Sequence, residues 1–97
     1  MRTEWARVSP EVREYKAIQT SFRTGLGAAI RRERVALDIS QEEVAKRSGL
    51  QRTYVSDLER GTRNPSVGSI QRIAQALGVP VAKLFEQLDN GNEAPES

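Results

Sequence analysis

Residues 41–58 read QEEVAKRSGLQRTYVSDL, and the rest of the chain is organised around this stretch. Ser40 with Gln41-Glu42-Glu43 fits a capping box: the Ser40 hydroxyl can accept from the amide of residue 43, and the Glu43 carboxylate can reach back to the amide of residue 40. The helix that starts there turns Val44 and Ala45 inward and Glu42, Lys46 and Arg47 outward. It stops at Gly49, where a sharp exit needs positive φ and glycine meets it without steric cost. Leu50 fills the angle that follows. A second helix then carries Val55 and Leu58 on one inward face. Ala45 stands where the two axes come closest, and a small side chain suits that crossing.

Small residue, glycine four later, an apolar residue next, then apolar residues five and eight beyond: this spacing matches the DNA-binding helix-turn-helix. The competing interpretation is an ordinary helical hairpin with no nucleic-acid partner. Five matched positions favour the former more than a single short motif would.

The 97 residues suffice for one small domain with one modest core. There is no cysteine, so no disulfide or thiolate metal site, and no histidine, which removes the usual general base and the commonest metal ligand. No apolar run approaches a membrane span, and MRTEWARVSPEV lacks the apolar heart of a signal peptide, so a cytoplasmic protein is expected. The net charge is +2, with the body basic and residues 89–97 acidic. A basic body is compatible with a polyanionic partner without requiring one.

Outward from the motif, three segments are expected: an N-terminal extension over 1–21, a helical domain over 22–88 and a flexible acidic tail over 89–97. Ser9-Pro10-Glu11 suits a helix start. Trp5, Val8, Val12, Tyr15, Ile18 and Phe22 then recur at helical spacing, either to cover part of the core or to pack on a partner subunit. A separate helix is predicted from Phe22 or Thr24 to Leu37, with Leu26, Ala29, Ile30 and Leu37 inward; Gly25 and Gly27 blur its start. Asp38 breaks the run and Ile39 returns to the core. Gly61 ends the second motif helix and Arg63-Asn64-Pro65 forms a loop. Ser66 caps a helix with Val67, Ile70, Ile73, Ala74 and Leu77 on one side, and Gly78 ends it. A last helix follows Pro80 with Val81, Leu84, Phe85 and Leu88 apolar.

From Leu26 to Leu88 the chain resembles the Cro/C1-type, or XRE, helix-turn-helix family. The residues that carry this are Ile30, Arg34, Ser40 to Ala45, Ser48-Gly49-Leu50, Arg52 to Gly61, Arg63 to Ser66 and Ile73 to Val79. The resemblance implies an all-α, five-helix, lambda-repressor-like domain, here with an extra N-terminal helical segment, that binds double-stranded DNA as a homodimer on two-fold operators. Within the family, RTYVSDLERGTRNPS and the small size look like the controller proteins of restriction–modification systems, although small phage repressors share much of the stretch. Two departures stand out: the N-terminal twenty residues exceed the minimal domain, and Pro80 stands where a Ser or Thr cap is common.

The second motif helix should enter the major groove with Arg52, Thr53, Ser56, Asp57 and Arg60 outward. Arg52 suits the paired acceptors of guanine, and Thr53 offers a methyl or a hydroxyl to a base edge. Asp57 can accept from a cytosine amino group or orient Arg52 or Arg60; the orienting role is favoured, because a bare carboxylate is repelled in the groove. By resemblance, Arg52, Thr53 and Ser56 fall on base-reading positions. Gln41, Tyr54, Arg60, Arg63 and Asn64 are candidates for phosphate, Tyr54 equally for half-buried packing. The family often joins the positions of Arg34 and Glu59 in a partly buried salt bridge, a structural role. It also implies dimerisation, for which Val79, Val81, Leu84 and Phe85 are the candidate surface, unless they simply pack the core. No catalytic residue, cofactor, metal or small-molecule substrate is expected. The alternative function is an antitoxin that binds its toxin through Trp5, Tyr15 and Phe22.

Overall fold

Each chain reversal around the motif is written in a cap. Ser40 Oγ accepts from the Glu43 amide at 3.0 Å, and Ser66 Oγ accepts from the Ser69 amide at 3.0 Å, each satisfying an amide that a helix start leaves open. At the other ends Gly49, Gly61 and Gly78 take the left-handed conformation, with φ of 75°, 75° and 73°. The second half of the expected capping box does not form: the Glu43 carboxylate accepts from Arg47 Nε at 2.8 Å, one turn on.

The protein's structure is a computed structural model that describes the backbone of residues 10–93 and the side chains of residues 14–88. Its helices are α1 (Pro10–Ala36), α2 (Gln41–Ser48), α3 (Arg52–Arg60), α4 (Val67–Leu77) and α5 (Val81–Glu93). The all-α expectation holds, and the described residues contain no strand. α1 packs against α3, α5 and α4; α2 packs against α3 and α4; α4 packs against α5. Leu26, Ile30, Val44, Val55, Ile73 and Leu84 are the largest fully buried side chains, and every helix contributes at least one of them.

Several expected boundaries move. The two helices predicted before the motif are one 27-residue helix running through residues 21 and 22 without interruption. Gly25 and Gly27 do not mark its start; they lie within it, where other elements come close. A Cβ on Gly27 would fall 2.2 Å from the Leu58 carbonyl oxygen and 2.7 Å from that of Glu59, so the backbones of α1 and α3 nearly touch there. α1 ends at Ala36, and Leu37, expected inward, is exposed because the helix no longer carries it. Asp38 takes φ 58°, a conformation Asp tolerates, and Ile39 packs back onto the core. Val67 is exposed at the first position of α4. α5 continues to Glu93 and so includes the first five residues of the expected tail.

Among the described residues, the N-terminal stripe covers the core only at its end. Tyr15 and Ile18 are 60% and 64% exposed, and only Phe22 packs on the core. Trp5 and Val8, and the side chain of Val12, lie outside the described residues. Leu84, expected at a dimer surface, is 0% exposed. It fills the space between α5 and the other helices, so it cannot meet a partner. Val79 and Val81 are half-buried against the same core, and Phe85 stays at the surface with its ring 6.1 Å from that of Phe22. Gln87 fastens α5 to α1: it accepts from Arg32 Nε at 2.8 Å and donates to Glu33 Oε2 at 2.9 Å.

The α1–α3 approach yields a prediction. Gly27→Ala should lower stability by about 2 kcal/mol or more, since overpacking typically costs ~1–3 kcal/mol and here backbone must move. Gly25→Ala should cost clearly less, because its Cβ meets a movable Leu88 methyl at 2.6 Å. Urea unfolding of both variants checks this; equal midpoints would remove the close approach.

Candidate nucleic-acid interface

α3 is held along one side before anything binds it. Its inward side is Val55 and Leu58, both buried. Its C-terminal turn places Glu59 against α1, where the carboxylate accepts from Arg34 Nε at 2.7 Å and from Arg34 Nη2 at 3.0 Å. The side chains of the pair are 12% and 4% exposed. Arg34 Nη1 also donates to the Ile39 carbonyl at 3.0 Å, and Gln41 Nε2 donates to Glu59 Oε1 at 3.0 Å. The Arg34–Glu59 pair therefore ties α1, the α1–α2 turn and the start of α2 to α3. The hydrogen bond to Glu59 raises the Arg34 pKa above its usual value against the opposing effect of burial, so the guanidinium stays charged. Gln41, expected at phosphate, has its side-chain amide drawn into this network.

The turn between α2 and α3 is equally constrained. The Gly49 and Leu50 amides both donate to the Ala45 carbonyl, at 2.9 and 3.1 Å. Ser48, buried in the bend, donates through Oγ to the same carbonyl at 3.2 Å and accepts from the Leu50 amide at 3.3 Å.

With one side locked, α3 presents the other. Arg52 and Thr53 are exposed, as expected. Ser56 is partly exposed, and its Oγ accepts from Arg60 Nη1 at 2.9 Å. Asp57 orients cations, but not Arg52: its two oxygens accept from Arg60 Nη2 and, at 3.4 Å, from Arg63 Nη2. Arg63 lies with its guanidinium carbon 4.7 Å from the ring centroid of half-buried Tyr54, a cation–π contact. Asn64 is exposed in the same loop.

Two residues join this surface that the motif alone did not single out. Gln51 occupies the N-cap of α3, is exposed and makes no side-chain cap. A glutamine where Ser, Thr, Asp or Asn would cap was the available signal. Ser69, from α4, lines an open cleft with Gln51, Thr53, Tyr54 and Arg63. Nothing local in the sequence places it there. Donors predominate on this side: the α3 amides without a side-chain cap, Gln51, Arg52 and Arg63. Such a surface suits an anion and hydrogen-bond acceptors.

A helix-turn-helix family model matches residues 30–84, more than half the chain. The chain belongs to this helix-turn-helix family, of the XRE type that its sequence resembles. Among relatives, the control protein C.BamHI of Bacillus amyloliquefaciens is 41% identical over 73 residues, which span 74% of this chain and 90% of that protein. The restriction–modification controller protein C.AhdI of Aeromonas hydrophila has a solved structure that superposes with a TM-score of 0.63 at 42% identity, covering 64% of this chain and 94% of that one. The clp gene regulator ClgR of Corynebacterium glutamicum superposes with a TM-score of 0.70 at 32% identity, covering 76% and 95%. No helix among the described residues is long and apolar enough to cross a membrane.

The Glu59 network makes a stability prediction. Glu59→Ala should lower the unfolding midpoint far more than Glu42→Ala, by about 3 kcal/mol, because it leaves a partly buried guanidinium unpaired. Glu42 is exposed and should matter little. Chemical denaturation followed by circular dichroism measures both; small, equal losses would mean the bridge does not hold α3.

Proposed function

We propose that the protein is a sequence-specific DNA-binding transcriptional regulator that acts as a homodimer on a two-fold operator upstream of its own gene, as the controller of a restriction–modification system. The observation that carries it is α3: a helix pinned on one side by Val55, Leu58 and Glu59, with Arg52, Thr53 and Ser56 left outward. A rigid helix with an arginine, a threonine and a serine on its free face suits the major groove, whose base edges offer acceptors to Arg and a methyl to Thr. Arg60, Arg63 and Asn64 flank it for phosphate. The controller assignment draws on the similarity to C.BamHI and C.AhdI.

Footprinting of the upstream region tests the reading. A protected two-fold site is expected, with half-sites roughly 34 Å apart. Arg52→Ala should weaken binding to it by about 1–3 kcal/mol and relax base preference without lowering the melting temperature. Arg63→Ala should instead flatten the salt dependence by about one phosphate. Weak protection everywhere that fades uniformly with salt would defeat the sequence-specific reading.

The dimer surface follows from what the core leaves out. Tyr15 and Ile18 are exposed, and Phe85, 37% exposed, continues that apolar strip through Phe22. The strip lies on α1 and α5, and none of its residues is assigned to DNA, so a second copy can cover it while α3 stays free. Ile18→Glu and Phe85→Glu should each shift the protein from dimer to monomer in sedimentation velocity with helical content retained. A dimer indifferent to both would have its interface elsewhere.

A further inference from the structure

α3 carries two carboxylates. Glu59 turns inward to Arg34, whereas Asp57 lies between the two arginines assigned to phosphate. One Asp57 oxygen takes Arg60 and the other takes Arg63, and each guanidinium has a second anchor: Ser56 Oγ for Arg60 and the Tyr54 ring for Arg63. Both cations are thus folded down on the protein. A phosphate that would take either must compete with this carboxylate, whose side chain is 19% exposed against 60% for Arg60 and 47% for Arg63.

We propose that Asp57 is a specificity-determining residue that withholds Arg60 and Arg63 from phosphates until an amino group on a base edge takes a guanidinium's place on its carboxylate. The inference rests on the DNA-binding reading above. In the major groove such donors are cytosine N4 and adenine N6. On unrelated DNA, binding comes almost entirely from phosphate contacts, and there Asp57 keeps two of the available cations occupied. On a site that offers the amino group at the right position, the carboxylate changes partner and the released arginine reaches the backbone. One residue so couples base reading to phosphate gripping, and discrimination arises by weakening the wrong complexes as well as by strengthening the right one.

The test compares the full-length protein with Asp57→Asn, which keeps the shape and removes the charge. Binding is measured on the protected upstream fragment and on an unrelated duplex of equal length, over a series of salt concentrations. Asp57→Asn should bind the unrelated duplex roughly three- to tenfold tighter at low salt, with a salt slope steeper by about one to two, as expected for one or two added phosphate contacts. The ratio of affinities between the two fragments should fall. Asp57→Ser should act in the same direction, which covers a failure of the asparagine variant to fold. Adding Arg60→Gln and Arg63→Gln to Asp57→Asn should abolish the gain. Glu86→Gln, which removes an exposed charge from α5, should show no comparable gain. Unchanged or weaker binding of the unrelated duplex by the Asp57 variants, or an equal gain in Glu86→Gln, overturns the proposal while leaving the DNA-binding reading standing. Wild-type protein that binds neither duplex overturns both.

Discussion

The bidentate pair between Arg34 and Glu59 is the contact on which the rest of the structure depends. It joins a residue near the end of α1 to one near the end of α3, and it draws in Gln41 at the start of α2 and the Ile39 carbonyl. Taking two charges out of water is costly, and the cost is offset only when each remaining donor and lone pair finds a partner. Here they do: no buried side-chain nitrogen or oxygen among the described residues lacks one. The direct consequence is geometric. A planar guanidinium in a two-toothed grip fixes direction as well as distance, so the tilt of α3 is set by α1.

That tilt is held at two further points. Gly49 turns the chain between α2 and α3, and Gly27 lets the α1 backbone come against the Leu58 and Glu59 carbonyls. Between these constraints α3 has no slack to spend on binding, and a preorganised helix loses less entropy on complex formation. The face it leaves outward is not uniformly basic. Arg52 extends without an internal partner that would hold it, whereas Arg60 and Arg63 are bound to Asp57, Ser56 and Tyr54. α3 and the loop after it therefore carry two kinds of arginine: Arg52, with no such anchor, and Arg60 and Arg63, each held by the protein itself.

The apolar periodicity of residues 15–22 was legible in the sequence, and its burial was not. Periodicity identifies a helix with one greasy face, but it does not say whether that face meets the chain's own core or another surface. Phe22 meets the core; Tyr15 and Ile18, two turns and one turn earlier, extend beyond it. The same ambiguity decided Leu84 and Phe85, which are adjacent in sequence and therefore point about 100° apart on a helix. Both are apolar, and only the docking of α5 on α1 and α4 buries one and exposes the other.

What the sequence determined by itself was local. Ser40 and Ser66 start helices and Gly49, Gly61 and Gly78 end them, because a cap or a left-handed turn is settled by the chemistry of a few consecutive residues. The buried faces of α2, α3 and most of α4 follow from spacing for the same reason, and so does the exposure of Arg52 and Thr53. Tertiary structure decided what depends on residues distant in the chain. Gly27 reads as a weak point in a helix until the Leu58 carbonyl, thirty-one residues away, arrives 2.2 Å from where its Cβ would stand. Gln41 reads as a free polar side chain until Glu59 comes within 3.0 Å of it, and Ser69 reads as a helix surface until Arg63 and Tyr54 face it across a cleft. Backbone preference acts over a turn or two, whereas close approach, ion pairing and burial are properties of surfaces that exist only once the helices have packed.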